Sequence, residues 1–478
     1  MAPIAAANLV LLLKHEDGLC RKELSLRIAL DAMGGDLAPK AALEGAVEAA
    51  RDFQIEVVLV GDREVIVREL GDYDLRGLPI TIEHASEIVA MDDPPLESVL
   101  TKPESSIHVG LELVKRGKVD GFVSAGNSGA VMATAMAILG NLPGVDRPAI
   151  ASIIPTTAGL SLLIDAGANT DVKPLNLVQF AVMGAVYWRQ VQKVAHPRVG
   201  ILSNGEEASK GTELTRSAAA ALLQMALHVN YIGYVEGRDI NRAKADVVVT
   251  DGFTGNVTLK TMEGFASFLL GNLREVFGTG LLRRLLYFLV FRRRVNSIRQ
   301  RLDPAEYGGA PLLGVNGVAI VAHGSSSARA IRNAVRAAAN EALVRHVNSE
   351  IVDVLAASPL NLIAKPVSGR GIRGMLERMR ERLHAGRDSH GPRRPEAHPE
   401  LVTARDAIHA RHEPTPSVLT TPRIEPVSHE GHPPESANGR KGSVEHGAPA
   451  NGLPSNGEST HAATEERVDN GSPQSKPV

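Results

Sequence analysis

The sequence of 478 residues contains a single cysteine, Cys20, and only 3% aromatic residues. One thiol excludes a disulfide framework within the chain and any zinc site that needs two thiolates from it. Because Phe, Tyr and Trp are scarce, the core must be built from Ala, Val, Leu and Ile, and sites that stack nucleobases on aromatic rings are disfavoured. The composition fits a reducing, cytosolic compartment.

An excess of charge of one sign is also missing, since 52 Lys and Arg residues face 54 Asp and Glu residues. This balance argues against a wholly basic nucleic-acid-binding chain. No segment reaches the roughly 20 apolar residues that span a bilayer. The short apolar run at residues 8–13 lacks a preceding positive charge, so we expect no signal peptide.

Composition divides the chain into parts. We expect residues 1–25 to be a loose N-terminal extension and residues 26–360 to be the main folded domain. Residues 361–385 read as a linker with a short basic helix. Residues 386–478 lack Phe, Tyr, Trp, Met and Cys but hold 13 of the 28 prolines. Such a segment buries too little apolar surface to offset its chain entropy, so it is predicted to be a disordered tail.

Within residues 26–360, short β-branched runs end in small or polar residues and precede helical patterns. The predicted strands are 27–31, 55–60, 121–124, 162–165, 199–202, 246–250 and 318–321, and the clearest helices are 105–116, 128–139 and 254–277. This alternation predicts an α/β fold with a largely parallel sheet.

Polar, glycine-containing loops follow six of these strands. Ligands bind beyond the carboxyl ends of parallel strands, and helix N-termini favour anions. We therefore expect the six loops to meet at one sheet edge and form a phosphate or carboxylate cleft, although ordinary turns would use the same residues. The loops are Asp31-Ala-Met-Gly-Gly-Asp36, Ser124-Ala-Gly-Asn-Ser-Gly129, Asp165-Ala-Gly-Ala-Asn169, residues 204–211, Asp251-Gly-Phe-Thr-Gly-Asn256 and Ala322-His-Gly-Ser-Ser326.

Several side chains in these loops allow two interpretations. Asp31 and Asp36 suit metal ligands or an acid–base pair, but also caps of the following turn and helix. Lys210 and Lys260 are each expected just inside a helix, where they would meet a phosphate or remain surface lysines. His323 would orient or protonate a ligand, or merely close a turn.

A dense apolar run framed by arginines occupies residues 280–303. It is too short to span a membrane, but it suits a helix that lies in the interface with its arginines on anionic headgroups. The alternative is a buried or dimer-packing helix pair. The residues expected to contact a membrane or an acidic partner are Leu281, Leu282, Arg283, Arg284, Phe288, Phe291, Arg292, Arg293 and Arg294.

The blocks at 31–36, 123–130, 165–169, 177–184 and above all 251–264 resemble the signatures of bacterial PlsX-type phosphate acyltransferases. The resemblance runs from about residue 26 to residue 346 without large gaps. It implies a fold similar to isocitrate and isopropylmalate dehydrogenases and phosphate acetyltransferases. It further implies transfer of an acyl group from acyl carrier protein to inorganic phosphate, giving the acyl phosphate that a membrane glycerol-3-phosphate acyltransferase uses for phosphatidic acid synthesis.

The same resemblance implies a cytoplasmic homodimer at the inner membrane surface. We expect no nucleic acid as a partner and no cofactor, and we assign no metal ligand. Acidic acyl carrier protein would be attracted to the arginine segment. The strand at 199–202 departs from the family, because its asparagine, Asn204, is displaced by one position, which turns the side chain the other way.

We expect anion and oxyanion binding from Asn127, Ser128, Gly129, Gly255 and Asn256. Lys210 and Lys260 would supply charge, and His323 would orient or protonate. The remaining candidates for phosphate binding are Asp31, Gly34, Gly35, Asp36, Asp165, Asn169, Gly252 and Thr254.

Three alternatives stay open. A phosphate acetyl- or butyryltransferase would use a coenzyme A thioester in the same chemistry. A decarboxylating dehydrogenase would share the fold, although no dinucleotide fingerprint is convincing. A non-catalytic membrane scaffold would explain the arginine segment but not the polar loops.

Overall fold

The computed structural model describes residues 26–224, 229–278, 303–344 and 346–358. The predicted N-terminal extension, the linker at 361–385 and the tail at 386–478 lie outside the described residues. The arginine segment at 280–303 also lies outside them, apart from Asp303.

The described strands form one sheet of order β3-β2-β1-β4-β11-β10-β5-β6-β9-β7-β8. The strands are β1 (Arg27–Asp31), β2 (Glu56–Gly61), β3 (Ile80–His84), β4 (Gly121–Ser124), β5 (Ala149–Thr156), β6 (Gly159–Ile164), β7 (Arg198–Ser203), β8 (Asn230–Glu236), β9 (Val247–Val249), β10 (Ala310–Leu313) and β11 (Ala319–Val321).

Helices alternate with these strands. They are α1 (Lys40–Phe53), α2 (Arg63–Leu70), α3 (Pro95–Thr101), α4 (Ser106–Lys115), α5 (Ser128–Ile138), α6 (Pro174–Gln192), α7 (Glu213–Gln224), α8 (Gly237–Ile240), α9 (Gly252–Gly278), α10 (Ala328–Leu343) and α11 (His346–Ala356). None of the described helices is both long enough and apolar enough to cross a lipid bilayer.

The predicted α/β fold with a mostly parallel sheet is confirmed. The strands expected at 27–31 and 121–124 coincide with β1 and β4, and the helix expected at 128–139 differs from α5 by one residue. The pattern missed β3, β5, β8 and β10. Two of these missed strands, β5 and β10, are the ones that break the parallel order.

The sheet reverses direction in its middle. β10 pairs antiparallel with both β11 and β5, and β5 pairs antiparallel with β6. Consequently β6, β9 and β7 run opposite to β1, β4 and β11, and the carboxyl ends of the two groups lie at opposite edges. The expectation that all six loops meet at one edge is therefore wrong, because a tight hairpin joins β5 to β6 where the pattern showed only one strand.

Side chains of the strands alternate between two apolar layers, as a pleated strand requires. Ile28, Leu30 and Val123 pack with α1 and α10 on one face. Ala29 and Phe122 pack with α4 and α5 on the other face. The helix after β4 thus lies on the opposite side of the sheet from the helices after β1 and β11.

Candidate functional site

At the carboxyl end of β4, the helix that follows the strand lies on the opposite face of the sheet from the helices that follow the two neighbouring strands. β4 lies between β1 and β11 and runs parallel to both. Since α5 leaves on one face while α1 and α10 leave on the other, the end of β4 is a switch point, where a crevice between the loops is expected. Open α/β sheets bind ligands at such points. We call the loops 31–36, 124–129 and 322–327 at this edge the β4 site.

Asp31 joins two of these loops from a buried position. Its Oδ1 accepts the N–H groups of Met33 and Gly34, both at 3.0 Å, and its Oδ2 accepts the hydroxyl of Ser124 at 2.7 Å. The Ser124 hydroxyl oxygen in turn accepts the N–H of Gly126 at 3.0 Å. Burial raises the pKa of Asp31, although these hydrogen bonds oppose the shift. The interpretation of Asp31 as the cap of its own turn is confirmed.

Glycines allow the three loops to touch. A Cβ on Gly34 would lie 2.8 Å from the backbone nitrogen of Gly126, in the neighbouring loop. Gly35 has a φ of +102°, and a Cβ there would lie 3.0 Å from the carbonyl oxygen of Gly324. Only residues without a side chain permit this spacing.

Asp36 has a different environment from Asp31, because it is exposed. Its N–H donates to the carbonyl oxygen of Gly324 at 2.8 Å, which ties the β1 loop to the β11 loop. The N-cap of α1 is Pro39 and receives no side-chain hydrogen bond. The interpretation of Asp36 as a helix cap is therefore wrong, and its exposed carboxylate lies beside Gly324.

Asn127 starts α5 and also holds a neighbouring segment. Its Oδ1 accepts the N–H of Ala130 at 3.1 Å, as a helix cap does. Its Nδ2 donates to the carbonyl oxygens of Met91 and Asp93, each at 3.0 Å. The amide is thus engaged within the fold. Ser128, the first residue of α5, is exposed at the crevice, and Gly129 packs under the ring of a proline in α3.

Residues 88–93, which we call the strap, were not predicted to belong to the site. Lys102 donates to the Asp93 carboxylate at 2.5 Å and to the carbonyl oxygen of Ile88 at 2.9 Å. The hydrogen bond from Lys102 lowers the pKa of Asp93. The Cε of Met91, a half-exposed side chain, lies beside Gly324. A Met-Asp-Asp-Pro-Pro run is a visible turn signal, but nothing in it indicates which loops it would cover.

His323 follows β11 and is exposed. Its Nδ1 lies 2.8 Å from the hydroxyl of Ser325, a residue that the sequence placed in the loop without assigning it a role. The alanine before it donates its N–H to the carbonyl oxygen of Ser124, so the imidazole stands at the rim of the β4 site.

The second group of candidate residues lies at the other edge, where β6 and β9 end. We call residues 165–169 and 251–256 the β9 site. Asp165 is fully buried and accepts five N–H groups: those of Ile150, Gly167, Ala168 and Asn169 from the backbone and one from the Asn169 side chain. Burial is the largest influence on Asp165 and raises its pKa. Asp165 and Asn169 therefore hold this loop together.

Backbone contacts join this loop to α9. The N–H of Gly252 donates to the carbonyl oxygen of Asn169 at 2.7 Å. A Cβ on Gly255 would lie 1.8 Å from the carbonyl oxygen of Asp165, so that close approach requires glycine. Thr254 and Asn256 are exposed on the first turn of the helix.

The two lysines differ in their placement. Lys210 is an exposed loop residue that precedes the start of α7 at Glu213, so its predicted position inside a helix is wrong. Lys260 lies within α9, where its Nζ contacts Glu263 at 2.8 Å. Asn204, the displaced asparagine, accepts the N–H of Gly211 at 2.8 Å.

The fold thus divides the candidate residues between two edges of the sheet. The residues at the β4 site are Asp31, Gly34, Gly35, Asp36, Asn127, Ser128, Gly129 and His323, and those at the β9 site are Asp165, Asn169, Gly252, Thr254, Gly255 and Asn256.

Among the described residues, no group of three or more His, Cys, Asp or Glu side chains is placed to hold a metal ion.

Comparisons with known proteins agree with the resemblance of the signature blocks to phosphate acyltransferases. The family model described as "Fatty acid synthesis protein" matches residues 26–349. A phosphate acyltransferase of Geotalea daltonii is 50% identical over 330 residues, which are 69% of this chain and 94% of the relative. One of Acidobacterium capsulatum is 51% identical over 332 residues, which are 69% of this chain and 97% of the relative.

Among solved structures, a phosphotransacetylase from Streptococcus pyogenes aligns with a TM-score of 0.44 and 19% identity, over 67% of this chain and 94% of that one. The matches in sequence are far stronger and cover nearly the whole length of the relatives. The chain therefore belongs to the family of PlsX-type phosphate acyltransferases, enzymes of fatty acid and phospholipid synthesis.

Proposed function

We propose that this acyltransferase moves a fatty acyl group from the thioester of acyl carrier protein to inorganic phosphate, at the β4 site, and releases an acyl phosphate for phospholipid synthesis. One observation carries the choice of site. α5 and α10 begin after the neighbouring parallel strands β4 and β11, so their N-termini meet at one edge. The first N–H groups of a helix have no acceptor within it, and its positive dipole end attracts anions.

The proposed reaction does not require a strong general base from the protein. Phosphate is already partly dianionic at neutral pH, since the second ionisation of a phosphoester lies at about 6. A thiol with a parent pKa of about 8.5 is a good leaving group. The protein has to hold phosphate near the thioester carbon and stabilise the oxyanion that forms. The β4 site offers two helix N-termini, the Ser128 hydroxyl and the His323 imidazole for this work.

Asp31 supports the site as a fixed element of it. Its buried carboxyl accepts the N–H groups of Met33 and Gly34 and the hydroxyl of Ser124, which holds the β1 and β4 loops together. The β9 site is less suited, because the first N–H of its helix, that of Gly252, already donates to the carbonyl oxygen of Asn169.

The test is to incubate the purified protein with long-chain acyl carrier protein and phosphate and to trap acyl phosphate as its hydroxamate. Phosphate-dependent product is expected, with the coenzyme A thioester a poorer substrate. His323→Ala, at the β4 site, is expected to lower turnover about 100-fold, whereas Asn256→Ala, an exposed residue at the β9 site, leaves it within a few fold.

Other outcomes of this test are equally informative. Loss of turnover in Asn256→Ala alone would move the reaction to the β9 site. Product from coenzyme A thioesters only would replace acyl carrier protein as the donor. Absence of product from both thioesters, with a folded protein, would favour the scaffold.

We also propose that the protein is a cytoplasmic homodimer that associates with the inner membrane surface, where a glycerol-3-phosphate acyltransferase takes up its product. α9 leads into the arginine segment at 280–303 and carries exposed apolar side chains, which supports a role for this region in contacts with lipid or a second copy. These side chains are Phe253, Val257, Phe265, Phe268 and Leu269.

Removal of residues 281–302 tests the membrane proposal. The shortened protein is expected to keep its circular dichroism spectrum and to lose sedimentation with anionic liposomes, while the full chain sediments. Undiminished binding of the shortened protein would return the segment to the role of a packing or dimer element.

A further inference from the structure

The contacts of His323 determine which ring nitrogen carries its hydrogen. The backbone N–H of Ser325 donates to Nδ1 at 3.2 Å. The hydroxyl of Ser325 lies 2.8 Å from the same nitrogen. A backbone N–H can only donate, so Nδ1 must present its lone pair. A neutral imidazole carries one hydrogen, which therefore sits on Nε2.

Ser325 holds this tautomer from two directions. A hydrogen on Nδ1 would point at the backbone N–H of Ser325, donor against donor. In this tautomer the hydroxyl of Ser325, 2.8 Å from Nδ1, is able to share the same lone pair as a second donor. The ring is thereby oriented by one residue two positions along the chain, and its Nε2–H has no acceptor among the described residues.

The neighbours of His323 place it against the other two loops of the β4 site. Ala322 donates its N–H to the carbonyl oxygen of Ser124 at 2.8 Å. Gly324 accepts the N–H of Asp36 at 2.8 Å. The histidine is thus anchored on both sides, and its exposed ring is the part left for a ligand.

We propose that His323 takes part in acyl transfer as a hydrogen-bond donor through Nε2, toward an anionic oxygen of phosphate or of the developing thioester oxyanion, and not as a general base. Ser325 is the positioning residue that selects the donor tautomer. This inference rests on the proposed function.

The balance of the reaction needs no base from the protein. A hydrogenphosphate oxygen attacks the thioester carbon, a C–O bond forms, and the C–S bond breaks. The electron pair of the C–S bond leaves on sulfur, and the proton of hydrogenphosphate ends on the thiol. A donor at Nε2 stabilises the oxygen charge during this exchange without gaining or losing a proton.

Two isosteres separate a donor from a base. The side-chain amide of Gln reaches the position of Nε2 and donates, whereas the amide of Asn reaches only the position of Nδ1. His323→Gln is expected to keep turnover within about 10-fold of the wild type, and His323→Asn to lose about 100-fold or more. The pH dependence of kcat is expected to be the same in His323→Gln as in the wild type.

Ser325→Ala tests the positioning role of Ser325. The readout is the tautomer of the His323 ring, which a change in packing alone would leave unaltered. In protein with ¹⁵N-labelled histidine, the His323 resonance, identified by its absence from His323→Gln, is expected to report the Nε2–H tautomer. Ser325→Ala keeps the backbone N–H and removes the hydroxyl, the shorter of the two contacts with Nδ1, so Nε2–H is expected to remain the major tautomer, the fraction of the Nδ1–H tautomer to rise, and kcat to fall up to about 10-fold. Ser325→Thr keeps the hydroxyl and should restore both, and Ser349→Ala, an exposed helical serine, is the control.

Three results would overturn the inference while the wild type is active. They are equal loss in the Gln and Asn variants, an ionisation in the wild-type pH profile that disappears in His323→Gln, or a Nδ1–H tautomer. A wild type that forms no phosphate-dependent product would remove the proposed function, and the inference with it.

Discussion

The contact between α9 and the Asp165 loop leads to a prediction on stability. An alanine at Gly255 would place its Cβ 1.8 Å from the carbonyl oxygen of Asp165 and 3.0 Å from the carbonyl carbon. Ordinary contact begins near 3.4 Å, so helix and loop would have to separate by about 1.6 Å. This obstacle is backbone, which cannot rotate away as a flexible side chain does.

Neither the Asp165 loop nor the start of α9 can shift without losing hydrogen bonds. The Asp165 segment is held by the five N–H groups that its carboxylate accepts. A shift of the helix start would break the hydrogen bond from Gly252 to Asn169. Overpacking costs about 1–3 kcal/mol, more where the surroundings are rigid, and a lost hydrogen bond about 1 kcal/mol. We therefore expect Gly255→Ala to destabilise the protein by about 2–4 kcal/mol.

Gly264 provides a matched control in the same helix. It is exposed, and a Cβ there would meet nothing within 4 Å. Replacing an unstrained helical glycine by alanine adds roughly 0.5–1 kcal/mol of stability. Gly264→Ala is thus expected to raise the urea midpoint slightly while Gly255→Ala lowers it strongly, with similar m-values. Midpoints that agree between the two variants would refute the close approach of α9 to the Asp165 loop.

Two further predictions concern the β4 site. Because burial raises the pKa of Asp31, the folded state binds more protons than the unfolded state between the ordinary Asp pKa of about 4 and the higher pKa of the folded state. This group therefore makes stability fall as pH rises through that range, and Asp31→Asn should flatten the fall in urea unfolding; an unchanged pH profile would contradict the assignment. Asn127→Ala removes a helix cap and two bonds to the strap, and should cost about 2–4 kcal/mol. Asn127→Asp keeps the cap, so it should cost less, yet it should still speed amide exchange in residues 88–93; slow exchange there would refute the bracing role.

Much of the local structure was readable from the chain. Alternating β-branched and helical segments predicted the α/β fold because strand and helix periods reflect which faces are buried. The strands that begin at Arg27 and Gly121 were predicted to the residue, since each is a short buried run that ends at a polar residue before glycine. The signature blocks indicated the family, and the family model and the sequence matches confirm it.

The environments of individual side chains were not readable. Asp31 and Asp36 flank the same glycine pair, yet one is buried among donors and the other is exposed beside Gly324. Asn127 looked like an oxyanion ligand, and only the path of the strap shows that its amide is already bound. Such differences arise from segments tens of residues away, which no local pattern contains.

The sequence by itself determined the fold class, the polar loops at strand ends and the family. Only the tertiary structure decided which loops share a site. Side-chain alternation is the same for a strand that runs up or down, so periodicity carries no information on direction. The direction was set by three successive antiparallel pairings, β11 with β10, β10 with β5, and β5 with β6. The parallel pairing of β11 with β4 brings His323 to Ser124, whereas the three antiparallel pairings put the ends of β6 and β9, with Asp165 and Asn256, at the opposite edge.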